Sequence, residues 1–153
     1  LIVEKGKLFY NSLSSDFGVT NPQIAICSLN PHAGESGKFG DEEQTLLQPA
    51  LEELGKLPAE WSGPFPSDTL FIEANMKKFD GILALYHDQG LIPFKMYCGF
   101  AGVNMTAGLP IVRTSPDHGV ALDIAGCGTA DHDGYSEAIK LAAGIVLRRA
   151  AED

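Results

Sequence analysis

A chain of 153 residues, 44% hydrophobic and 20% charged, is long enough for one domain with a real core or for parts of two, and has the composition of a soluble globular protein. Its net charge of −9 repels a phosphate backbone, and the 11 basic residues form no run longer than the pairs Lys77-Lys78 and Arg148-Arg149, which argues against a nucleic-acid partner. No apolar stretch approaches the length of a membrane span and no basic, apolar leader is present, so neither a membrane nor export is expected, although a leader could have preceded Leu1.

Leu1-Ile2-Val3 begins apolar with no start signal, as an internal segment of a longer chain would, and Leu8, Phe9, Leu13 and Phe17 have helical spacing up to Gly18. Ile24 to Leu29 is a compact, β-branched run expected to be a buried strand, and Asn30-Pro31-His32-Ala33-Gly34-Glu35 leaves it. Asp41 with Gln44 has the spacing of a capping box. Leu46, Leu47, Ala50, Leu51 and Leu54 supply an apolar stripe that Pro49 should kink. A loop carrying Trp61 is expected over 56–66 and a further helix within 67–78. A second buried strand follows at Ile82 to Leu85, and the order strand, helix, strand implies a parallel crossover. Tyr86-His87-Asp88-Gln89-Gly90 is expected as the loop beyond that strand, 99–108 as a glycine-bearing connection, and 110–114 as a short strand. Asp133 is expected to cap a final helix with Ile139, Ala142, Ala143, Val146 and Ala150 on its apolar face.

Ligands of parallel α/β sheets bind beyond the carboxyl ends of strands, and here two such ends each deliver a histidine, His32 and His87. Neutral imidazole is a good ligand for a divalent metal, so the pair are candidate metal ligands; a structural role is the alternative for each. Asp88 joins His87 as a candidate catalytic group. Lys95, Asn104 and Arg113 form a second group, a lysine and an arginine beside glycine-rich loops in an acidic chain, suited to an anion such as a phosphate monoester. Solvated surface charge is the alternative there, weakest for Arg113, whose stem follows Ile111-Val112. The loop Ser115 to Gly119 with Asp123 to Gly126 could present backbone amides and carboxylates to a nucleotide, although it is not a G-x-G-x-x-G fingerprint. Cys27, Cys98 and Cys127 are odd in number and lack C-x-x-C spacing, which fits reduced thiols of a cytoplasmic protein.

Taken in order, Asn30-Pro31-His32-Ala33-Gly34-Glu35, Gly63-Pro64 with Asp68-Thr69-Leu70-Phe71, Tyr86-His87-Asp88-Gln89-Gly90, Gly108-Leu109-Pro110 with Arg113-Thr114-Ser115, and Asp117-His118-Gly119 resemble the 4-hydroxythreonine-4-phosphate dehydrogenase family of pyridoxal phosphate biosynthesis. The resemblance spans roughly residues 15 to 150. It implies an α/β fold of α/β/α layers with a largely parallel sheet, like that of isocitrate and isopropylmalate dehydrogenases, here only in part. On this view 1–153 is the C-terminal portion of a two-domain dehydrogenase, with 20–112 mostly in the central domain and 113–153 returning to the domain shared with the earlier half.

The implied activity is oxidation of 4-phosphohydroxy-L-threonine to a 3-keto acid that loses carbon dioxide to give 3-amino-2-oxopropyl phosphate. The implied cofactors are NAD or NADP and a divalent metal such as zinc, magnesium, cobalt or manganese. His32 and His87 would bind that metal with a third histidine from the earlier half; Lys95, Asn104 and Arg113 would contact the phosphorylated substrate; Asp117, His118, Gly119 and Asp123 would lie against the cofactor. The resemblance also implies a cytoplasmic homodimer with its site at the subunit interface. Two departures stand out: the first half of the family pattern has no counterpart, so the chain alone is expected to be inactive, and Val120 and Cys127 replace an expected small hydroxyl residue and lysine. Alternatives are a relative oxidising another phosphorylated or dihydrodiol acid, a non-catalytic phosphate-ligand module, and a metal-dependent hydrolase, for which no nucleophile is specified.

Overall fold

The structure, a computed structural model, describes residues 1–152. The chain forms two compact units, Leu1–Leu91 and a second beginning at Ile92.

In the first unit, helix α1 (Ile2–Asn11) continues into a wider π-type turn at Ser12–Asp16 and stops at Gly18, whose φ of 69° is the left-handed conformation glycine adopts without steric cost. Strand β1 (Gln23–Cys27) follows, buried along its last four residues. It lies at the centre of a three-stranded sheet of order β2-β1-β3, parallel to both β2 (Glu60–Phe65) and β3 (Gly81–Leu83). Side chains alternate across a strand, so β1 has two apolar faces. Ala25 and Cys27 pack with Leu70, Phe71 and Phe79; Ile26 packs on the other side with Leu47, Leu51 and Ile2. Helices therefore cover both faces, giving the expected α/β/α layering. On the Ile26 side α1 meets α2 (Gln48–Leu54) at Gly6, where an added Cβ would stand 2.7 Å from Leu54 Cδ2, so the two helices approach closely only because Gly6 has no side chain.

Several expectations are corrected here. Residues 60–65, read as loop, are β2. The Gly63-Pro64 pair that suggests a break lies in a bulge, because Ala25 pairs with Ser62 but Cys27 with Phe65. A bulge on an outer strand accommodates a proline that lacks an N–H. The Asp41-Gln44 capping box does not form: Asp41 accepts the N–H groups of Gln44 and Thr45 through its backbone carbonyl, and its side chain caps nothing. Pro49, expected to kink or divide the helix, does not divide it: the backbone stays helical through Leu47 and Gln48, and the π-type segment Glu43–Leu47 runs directly into α2 just ahead of the proline, where the wider turn accommodates a residue that lacks an N–H. Leu46 is exposed. The single helix within 67–78 is two short ones, α3 (Ser67–Leu70) and α4 (Glu73–Met76). The strand at 82–85 is β3 at 81–83, and His87 to Gly90 is not a loop but the first turn of α5 (His87–Cys98).

In the second unit, β4 (Val103–Met105) and β5 (Thr114–Pro116) pair antiparallel, Asn104 opposite Ser115. The glycine-bearing connection thus contains a strand, and the strand expected at 110–114 starts only at Thr114. Helix α6 (Asp133–Glu152) packs on this pair, and the Thr114 hydroxyl donates to the Ala138 carbonyl at 2.9 Å. Its first residue is Asp133, whose N–H donates to Asp131 Oδ1 at 2.8 Å, so Asp131 rather than Asp133 supplies the side-chain cap. The buried face runs through Gly134, Ala138 and Ile145, whereas Ile139 and Val146 are exposed. Both stripes have helical spacing and apolar residues, so periodicity could not choose between them; the small Gly134 and Ala138 mark the side that lies against its neighbours.

Candidate functional site

The carboxyl ends of the parallel strands open on a cleft of about 280 Å³, lined among others by Asn30, His32, Ser67, Asp68, Tyr86 and Gln89. Gln89, buried at 6% exposure, fixes its walls. Its Nε2 donates to the Ser28 carbonyl at 2.6 Å and to Ser67 Oγ at 2.9 Å, and its Oε1 accepts the Leu85 N–H at 2.7 Å. One amide thereby joins the segments that follow β1 and β3 to the start of α3, and every polar atom it carries into the interior has a partner.

His32 sits in an unusual turn. Residues 31–37 are helical in hydrogen-bond pattern but left-handed in the middle: φ is 53° at His32, 52° at Ala33, 77° at Gly34, 42° at Glu35 and 58° at Ser36. For residues with a Cβ this conformation costs on the order of 1–2 kcal/mol each, so something must offset it. The buried Glu43 carboxylate braces the segment that enters the turn. Its Oε1 accepts the N–H groups of Leu29 and Asn30, both at 2.8 Å, and its Oε2 accepts Asn30 Nδ2 at 3.0 Å. Burial alone would raise the Glu43 pKa, but these donors outweigh it and hold the carboxyl below its ordinary range. Gly34 lies against the same carboxylate; a Cβ there would stand 2.7 Å from Glu43 Oε2. The His32 ring is tilted against Phe39, with centroids 5.7 Å apart.

His87 opens α5 with its ring exposed and Nδ1 2.7 Å from Asp88 Oδ1. With the proton on Nδ1, Asp88 accepts it and Nε2 presents its lone pair outward, the arrangement in which a carboxylate orients a histidine ligand. Among the described residues no group of three or more His, Cys, Asp or Glu is placed to hold a metal ion. His32 and His87 suit a divalent cation as neutral imidazoles following adjacent parallel strands, and a complete site needs a further donor from outside them. Cys27 is no nucleophile: burial pushes its thiol up to about 11 against the opposing pull of the Ser67 hydroxyl.

In the second unit Lys95 Nζ donates to both the carbonyl and Oδ2 of Asp117, each at 2.8 Å, so a candidate substrate residue and a candidate cofactor residue are partners. Arg113 Nη1 donates to Thr106 Oγ1 at 3.1 Å, and Arg113 and Asn104 share the hairpin of β4 and β5, Asn104 exposed on β4. His118 and Gly119 line a cavity of about 480 Å³ with Phe100, Ile124 and Asp131. His118 Nδ1 lies 2.9 Å from the Gly119 carbonyl, and Asp123 stands in the exposed turn Leu122–Ile124. Sequence reasoning missed Glu43, which lies thirteen residues beyond Asn30 with no local signal, and Ser67, hidden in a segment read as an ordinary helix. Gln89 was visible only as one polar member of the His87 motif.

Helices on both faces of a parallel sheet, with a polar cleft beyond the carboxyl ends of its strands, define an α/β enzyme scaffold, and its structural relatives place it in the isocitrate/isopropylmalate dehydrogenase-like class. Among solved structures, 4-hydroxythreonine-4-phosphate dehydrogenase from Klebsiella pneumoniae matches with a TM-score of 0.77 and 40% identity over 97% of this chain and 44% of that one. Terephthalate 1,2-cis-dihydrodioldehydrogenase from Burkholderia xenovorans matches with a TM-score of 0.71 and 29% identity over 94% of this chain and 45% of that one. The family model described as pyridoxal phosphate biosynthetic protein PdxA covers residues 1–142, and the chain belongs to that family. The 4-hydroxythreonine-4-phosphate dehydrogenase of Caulobacter vibrioides is 51% identical over 148 residues, 97% of this chain. The chain spans 44% of that relative's length.

Proposed function

We propose that this chain is the C-terminal part of a dehydrogenase that oxidises 4-hydroxythreonine 4-phosphate with NAD or NADP, in pyridoxal phosphate biosynthesis. The observation that carries the reading is the 51% identity to a relative of that name across nearly the whole chain, with the candidate motifs in order. His32 and His87 are the proposed ligands of a divalent cation, completed by a donor from the earlier half of the enzyme. When bound, such a cation supplies Lewis acidity toward the substrate hydroxyl.

The chain's own residues do the rest. Asp88 orients His87 and is the candidate group to take the hydroxyl proton as the carbinol hydrogen leaves as hydride to the nicotinamide. The resulting 3-keto acid loses carbon dioxide. Lys95, Asn104 and Arg113 hold the phosphate, which contributes orientation rather than chemistry. Asp117, His118, Gly119 and Asp123 are proposed to face the cofactor, and the working protein is proposed to be a cytoplasmic homodimer with its site at the subunit interface. No helix among the described residues is long and apolar enough to cross a membrane.

A second reading has support of its own. The dihydrodiol dehydrogenase neighbour has a related scaffold and a substrate whose name carries no phosphate, so this chain could serve a diol acid instead. The two are separated by following NADH formation by the full-length protein with the phosphorylated amino acid and with a cis-dihydrodiol acid. Turnover of the phosphorylated substrate, with KM raised by Arg113→Ala, is the expected result. Turnover of the diol alone, indifferent to that substitution, would replace the first reading by the second.

A further inference from the structure

One carboxylate touches the His32 turn on both sides. Ahead of His32, Glu43 accepts the N–H groups of Leu29 and Asn30 and the Asn30 side-chain amide; behind it, Gly34 is seated so close to Glu43 Oε2 that a methyl group would collide at 2.7 Å. The second anchor is the middle residue of five consecutive left-handed residues, 32–36, four of which carry a Cβ, so His32 and Ala33 lie between the two anchors. The turn keeps a 3-10 hydrogen-bond pattern over Pro31–Gly37, and beyond it the Lys38 N–H donates to the Glu35 carbonyl at 3.4 Å and the Phe39 N–H to the Gly34 carbonyl at 3.2 Å, but these local bonds do not tie the turn to the rest of the fold. Glu43 is 6% exposed and reaches the turn from a different element, the π-type segment it begins.

We infer that Glu43 is the positioning residue of His32: its carboxylate holds the left-handed turn that presents the His32 ring at the cleft, without itself meeting substrate or cation. The consequence for metal affinity rests on the reading of His32 as a ligand; the placement of the ring does not. A carboxylate, rather than an amide, is what the geometry requires. Both oxygens accept, and in Glu43→Gln the new Nε2 would face either the Asn30 side-chain amide or the two backbone N–H groups, donor against donor.

The test uses the full-length protein with histidine and phenylalanine rings isotope-labelled. In the parent, the His32 and Phe39 rings give a nuclear Overhauser cross-peak, their centroids being 5.7 Å apart. Glu43→Gln is expected to keep the parent's circular dichroism and lose this cross-peak, and to bind cobalt about 10–100-fold more weakly, with an altered cobalt absorption band, as substitutions behind a ligand do. Glu42→Gln, which makes the same change of charge at a carboxylate bonded only to the Asn30 side chain and leaves an amide oxygen to accept from it, is expected to keep both. If Glu43→Gln does not fold, Glu43→Asp makes the same measurement by withdrawing the carboxylate from the Leu29 and Asn30 N–H groups without placing a donor there. A folded variant that retains the cross-peak overturns the inference whatever cobalt does. Loss of the cross-peak in a protein whose parent binds no cobalt sustains the inference and refutes the metal reading.

Discussion

At the scale of single residues, accessibility and surroundings separate side chains that look alike in the sequence. Cys27, Cys98 and Cys127 are all free thiols, but Cys27 is buried beneath the sheet end with its pKa pushed up to about 11, whereas Cys127 is exposed. The thiolate is the reactive form, so an alkylating reagent at neutral pH is expected to modify Cys127 first and Cys27 only after unfolding, as read by mass spectrometry of peptides from a time course. Labelling of Cys27 at the rate of Cys127 in native protein would mean that the core around β1 is open. The same contrast applies to the histidines. The motif around His32 was legible as a strand followed by an imidazole, because a compact apolar run and the Asn-Pro that ends it are local signals. The carboxylate that shapes its turn was not, since Glu43 acts from another element and a buried hydrogen bond thirteen residues away leaves no periodicity to read.

At the scale of elements, the most apolar strand dominates. β1 carries Ile24, Ala25, Ile26 and Cys27 at 0% exposure and feeds both apolar clusters. Ile26→Ala removes three carbons from between β1 and α2, and is expected to lower stability by about 2–5 kcal/mol, measured by urea unfolding; a loss under about 1 kcal/mol would show that this face is not close-packed. β1 could be read from its sequence because a continuous β-branched run has few other uses. β2 could not, because Gly63 and Pro64 signal a turn unless the partner strand is known to accept a bulge there. On α6 the periodicity was correct and the face was not: two apolar stripes one residue apart are indistinguishable until packing selects Gly134, Ala138 and Ile145. His87 was placed at a strand end correctly but in a loop, when it opens a helix; the glycine at 90 that suggested a turn sits inside α5, near Ala84.

For the whole molecule, the family and the layered α/β class follow from motif order, sheet topology and the matches to relatives, while the reaction is proposed for the full-length protein, of whose relative this chain spans 44%. The described residues show no cluster of three donors, and the proposed cation site, with two imidazoles from this chain, takes its further donor from the rest of the full-length protein. The measurement that bears most directly on that assignment is NADH formation by the full-length protein from 4-phosphohydroxy-L-threonine, first with an added divalent cation and then after chelation. Turnover that chelator abolishes and cation restores, and that His87→Ala removes, is the predicted result. Undiminished turnover in chelator, or full rate in His87→Ala, would contradict the role given to the histidines at the ends of β1 and β3.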